Sequence, residues 1–179
     1  MPLDIGLGIV LSLLTAHWFE IQATAGLIVF GIASILLPDI DIIPALSRIH
    51  HDHRSFFHWP LIYIPLAVLV YLFLGPLYAM LFSLCIIAHF IHDSIGIGWG
   101  VAWLAPFSQR KILFPEKDRR AAYGFFMTWL PEEEAAMAVE YHDPNWVRTW
   151  YLRPNLLACI EYTALIASIF ALFVYYGAL

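Results

Sequence analysis

Apolar residues run with little interruption through five stretches of the chain, roughly 3–19, 21–37, 60–76, 77–95 and 155–177, and polar residues gather in the joints between them. A helix needs about 20 apolar residues to cross about 30 Å of hydrocarbon. All five are candidate spans, several of them near the lower length limit. Gly75 and Pro76 interrupt "YLFLGPLYAM", which suits a tight connection between two antiparallel helices rather than one continuous helix. The first stretch is the weakest candidate, and a re-entrant or partly interfacial placement is its alternative. The pattern predicts an all-α fold: a polytopic helical membrane protein with about five membrane-embedded helices, forming a single domain over 1–179.

Composition agrees, with 61% apolar residues, 13% charged residues and a mean hydropathy of +0.75, outside the soluble range. A formal charge of −5 gives no general basic character and argues against nucleic acid as a partner. No Lys or Arg precedes the first apolar run, which carries an acid at Asp4, so a retained segment is expected rather than a cleaved signal peptide. Cys85 and Cys159 lie in apolar runs without CxxC spacing and read as buried, reduced thiols.

If all five stretches cross, segments 38–59 and 96–154 share one side, and all nine Lys and Arg residues fall there. The positive-inside rule makes that side cytoplasmic. Within 96–154, Pro131 followed by three glutamates is a favourable helix start. Apolar residues then recur at helical spacing through Tyr141, predicting a short amphipathic helix at the interface.

Three polar clusters break the apolar pattern, and this topology brings all of them to the cytoplasmic side. In "LLPDID", Pro38 biases Leu37 away from helical geometry and leaves Asp39 and Asp41 in an extended D-x-D with both side chains pointing one way. Two such carboxylates call for a cation between them, or else one of them caps the turn around Pro44. The stretch "RIHHDHRSFFHW" holds four histidines, His50, His51, His53 and His58, suited to zinc or a similar ion. A solvated loop or one touching lipid headgroups is the alternative. In "AHFIHDSIGIGWG", His89, His92 and Asp93 project within an arc of about 100° on a helix. Ionisable residues ending an apolar span are functional candidates, the alternative being that they satisfy only each other. Mixed imidazole and carboxylate ligands without thiolate suit zinc, manganese or iron(II) in a hydrolytic site.

These residues resemble a family. "LPDID", then "HRSFFH", then H-x-x-x-D at His89 and Asp93 leading through a glycine turn to "WLAPFS", is similar to the LexA-regulated inner-membrane metal-dependent hydrolases (YdjM-like) over residues 1–108. The resemblance implies a helical fold distantly similar to zinc-dependent phospholipase C and single-strand nucleases, which cleave phosphoesters at multi-metal sites. It implies Asp39, Asp41, His53, His58, His89 and Asp93 as metal ligands. Ser55 and Phe57 stand where the family has glycine and threonine. Asp4 with Gly8 stands where the family begins with a histidine followed four residues later by glycine, which makes Asp4 a substitute oxygen ligand.

The expected function is therefore hydrolysis of phosphoesters, in a lipid headgroup or a lipid-linked phosphate, by a divalent-metal enzyme of the inner membrane. Zinc comes first, with manganese or iron as alternatives. Arg54 is the candidate for binding the substrate anion, or for pairing with Asp52 or lipid phosphate. His51 and Asp52 are candidates for general base or for support of a ligand. A metal-binding membrane module without catalysis, serving transport, sensing or assembly, is the second reading.

Overall fold

The computed structural model describes residues 2–41, 56–96, 100–115, 127–133, 145 and 148–177. Five apolar helices dominate it: α1 (Pro2–Trp18), α2 (Ala25–Leu36), α3 (Tyr63–Leu74), α4 (Pro76–Asp93) and α5 (Leu156–Gly177). Their ends follow local chemistry. Pro2 opens α1, where a missing N–H is harmless, and the Thr24 hydroxyl accepts from the Leu27 N–H at 3.2 Å to cap α2. Gly75, at φ 87°, closes α3, and Pro76 starts α4 directly, giving the tight antiparallel connection expected from the sequence.

The helix count matches the five apolar stretches, but their lengths do not match five spans. Among the described residues, only α4, with 18 residues, and α5, with 22, are long and apolar enough to cross a membrane. At 1.5 Å per residue, the 12-residue helices α2 and α3 reach only about 18 Å. Thr24 and the turn at Leu37 trim α2, and a 3-10 turn at Pro60–Ile62 takes the start of the α3 stretch.

Helix α1 is central and packs on α2, α4 and α5, while α3 packs on α4. The close crossing of α1 and α2 depends on small residues. A Cβ at Gly31 would collide with Ser12 Oγ and lie 2.8 Å from the Gly8 carbonyl oxygen. Ser12 Oγ itself donates to Gly8 O at 2.7 Å, so the hydroxyl is satisfied within the contact. Around it, Ala16, Ala23, Leu27, Ile35, Leu81 and Cys85 form one buried cluster. At the other end, Tyr176 Oη donates to Ala23 O and the Ala23 N–H donates to Tyr175 Oη, both at 2.8 Å, tying the end of α5 to the α1–α2 joint.

The surface is apolar and the interior partly polar, the reverse of a soluble bundle. Phe73 is 81% exposed on α3 and Phe173 is 73% exposed on α5, whereas Asp4, Ser12, His89 and Glu161 are buried. Large apolar faces of this kind are disfavoured in water and natural in lipid. Cys85 is buried as expected, but Cys159 is exposed, because its side of α5 faces away from the bundle.

Two further expectations are corrected. The fold is mostly helical rather than all-α: a three-stranded sheet, β1 (Ile95–Gly96), β2 (Lys111–Pro115) and β3 (Met127–Trp129), lies within the segment that follows α4. Strand β2 pairs in parallel with β1 and antiparallel with β3, and its run "KILFP" is too short to register as a strand against so apolar a background. The amphipathic helix begins at Pro131–Glu133, with the Leu130 N–H donating to Glu133 Oε2 at 2.7 Å. The rest of that expected helix lies outside the described residues.

The second correction is at "LPDID". Leu37 keeps helical geometry, with φ −59° and ψ −40°, and Leu37–Asp41 forms a 3-10 helix rather than an extended segment. Proline is tolerated at the start of a new helical turn, and Pro38 is buried there. The extended D-x-D expected from the sequence is therefore replaced by a 3-10 turn that carries Asp39.

Candidate metal centre

Four side chains from three separate segments meet at one point. Asp39 comes from the 3-10 helix after α2, His58 from a 3-10 turn at Phe56–His58, and His89 and Asp93 from successive turns of α4. Each offers one ligand atom, and these atoms all lie within 4.8 Å of one another. His58 Nε2 is 3.3 Å from Asp93 Oδ2 and 3.5 Å from Asp39 Oδ1. His89 Nε2 is 3.5 Å from the same Asp93 oxygen and 3.8 Å from the same Asp39 oxygen.

Those separations fit a shared cation. Four ligands about 2.0–2.2 Å from a tetrahedral ion lie about 3.3–3.6 Å from one another. The chemistry fits as well, since two carboxylates converging beneath the surface repel each other unless positive charge lies between them. His89 supplies the sharpest sign: it is fully buried, and neither ring nitrogen makes a hydrogen bond among the described residues. Buried polar atoms are normally bonded, so an imidazole aimed at two carboxylates from beyond hydrogen-bond range is an arrangement suited to an ion.

Aromatic packing fixes these groups. The Phe90 ring stands edge-on to His58, His89, Tyr63 and Trp103 at centroid distances of 5.5 to 6.3 Å. Tyr63 Oη donates to Phe57 O at 2.8 Å, holding the backbone beside His58. Ser94 anchors the sheet to the end of α4: Phe114 N–H donates to its carbonyl at 2.6 Å, and Trp103 Nε1 donates to its hydroxyl at 2.9 Å.

A second layer lies behind His89. Asp4 Oδ1 is 3.7 Å from His89 Nδ1 and 2.9 Å from His92 Nδ1, and His92 Nε2 is 3.8 Å from Glu161 Oε1. Asp4 therefore stands outside the four-ligand group, on the far side of the His89 ring from Nε2. His92, one of the three candidates read on that helical face, belongs to this layer, and so does Glu161, which was not singled out. The available signal was the lone acid in the apolar run of α5.

Of the remaining sequence candidates, Asp41 has its backbone in the 3-10 helix while its side chain lies outside the described residues. His51, Asp52, His53 and Arg54 also lie outside them.

Apolar helices wrapped around a partly buried group of Asp and His side chains define a helical membrane protein with a possible metal site. A family model described as YdjM inner membrane protein matches residues 4–178, and the chain belongs to that family. No curated protein and no solved structure matches it.

Proposed function

We propose that the protein is a metal-dependent hydrolase of phosphoesters at the cytoplasmic surface of the inner membrane, acting on a lipid headgroup or lipid-linked phosphate. The observation that carries this reading is the convergence of Asp39, His58, His89 and Asp93 on one point. Asp39, His58, His89 and Asp93 would hold a divalent cation, which would supply Lewis-acid charge to a phosphoryl oxygen and lower the pKa of bound water. Mixed imidazole and carboxylate donors without thiolate suit zinc, manganese or iron(II) in a hydrolytic site, and zinc is proposed first. Asp41 and His53 are proposed to complete the ligand set, Arg54 to bind the substrate anion, and His51 or Asp52 to take up a proton. A distant likeness to zinc-dependent phospholipase C belongs to the same proposal. The multi-pass, cytoplasmic-facing placement is supported by all nine Lys and Arg residues falling in segments 38–59 and 96–154.

One observation favours the non-catalytic reading. Four protein ligands fill a tetrahedral zinc ion, whereas a catalytic zinc keeps a position open. The two readings separate on metal and turnover. Elemental analysis of the purified chain in detergent should find a divalent metal that an Asp39→Ala, His89→Ala double variant lacks; equally little metal in both would reject both readings. Hydrolysis of a panel of phospholipids and phosphodiesters, lost in Asp93→Ala, supports the enzyme. Bound metal with no turnover on any member leaves the binding module.

A further inference from the structure

Asp4, His92 and Glu161 lie in three different helices, and each is buried or largely so, yet none belongs to the four-ligand group. They form a continuous line through the bundle. Glu161 Oε1 faces His92 Nε2 at 3.8 Å, His92 Nδ1 meets Asp4 Oδ1 at 2.9 Å, and that same oxygen faces His89 Nδ1 at 3.7 Å. The opposite nitrogen of His89 is the one turned toward Asp39 and Asp93.

An imidazole binds a metal through one nitrogen only if the proton sits on the other, and a carboxylate facing that other nitrogen favours the proton there; at 3.7 Å Asp4 does so by charge, beyond hydrogen-bond range. We infer that Asp4 is a positioning residue that holds His89 with Nε2 presented to the cation, and that the His92–Glu161 pair fixes Asp4 in turn. This rests on the proposed metal site and adds the means by which α1 and α5, which supply none of the four ligands, tune it. A role as direct ligand for Asp4 fits the geometry less well, because its Oδ1 lies against the Nδ1 side of His89.

The test is metal affinity rather than turnover. Zinc and cobalt(II) binding to the full-length chain in detergent would be measured by competition with a chromophoric chelator, for the wild type, Asp4→Asn and Glu161→Gln. Both replacements preserve size, and the helical circular dichroism of the metal-free chains checks that each still folds. Asp4→Asn is expected to weaken binding by roughly 10- to 100-fold, and Glu161→Gln by a smaller factor in the same direction. The visible absorption of bound cobalt should stay that of the wild type, since the ligand set is unchanged. Wild-type affinity in both variants overturns the inference, and so does a cobalt spectrum in Asp4→Asn that reports a lost ligand. Absence of binding by the wild type overturns the metal site itself, an outcome distinct from either.

Discussion

His58 Nε2 and Asp93 Oδ2 stand 3.3 Å apart although the whole α3–α4 hairpin separates them in the chain. The tight reversal at Gly75 makes this possible, because α4 then runs back along α3 and delivers its last turn beside the Phe56–His58 turn that lies ahead of α3. A contact of this kind reports tertiary structure, so its loss should be felt in both metal content and stability.

His58→Ala removes one of four converging ligands. It should weaken metal binding by more than the roughly 10- to 100-fold expected from losing an outer partner. Elemental analysis after gel filtration in detergent checks this, the expected outcome being a chain largely stripped of metal.

Metal should also stabilise the fold. An ion that binds only the native state at about a hundred times its dissociation constant adds about 2.7 kcal/mol. Thermal unfolding followed by circular dichroism should therefore shift upward with added zinc or manganese in the wild type and stay unmoved in Asp39→Asn, Asp93→Asn. A chelator should reverse the shift.

The α1–α2 crossing offers a prediction independent of metal. Gly31→Ala places a methyl group against Ser12 Oγ and the Gly8 carbonyl oxygen, an overpacking that costs about 1–3 kcal/mol. Adding Ser12→Ala should restore only part of the loss, since the Gly8 backbone remains. A melting series on the single and double variants tests this, and full rescue would show that the backbone contact is not limiting.

Cys85 and Cys159 should differ in access. Cys85 is buried between helices and Cys159 is exposed on α5, so an uncharged alkylating reagent should modify Cys159 in the folded chain and reach Cys85 only after denaturation. Mass mapping of the modified peptides gives the answer directly.

Much of this architecture was legible in the chain, for reasons that differ by element. The hairpin at Gly75–Pro76 was readable because two turn-forming residues sit inside unbroken apolar sequence. His89 and Asp93 were readable because their four-residue spacing fixes a common helical face. Asp39 was found for the wrong local reason: a 3-10 turn carries it, since proline excludes a helix interior but not the start of a new turn. Strand β2 escaped notice because apolar runs of five residues have no distinguishing period beside long apolar helices. The role of Glu161 was hidden for another reason: which face of α5 turns inward depends on α1, and no local pattern encodes that.

All four converging ligands lie within the first 93 residues, whereas Glu161 lies in the last helix. During synthesis these four Asp and His residues thus emerge before the helix that carries Glu161. On the proposed reading, capture of an ion by the nascent first half and tightening of its grip by the final helix would be separate events in time.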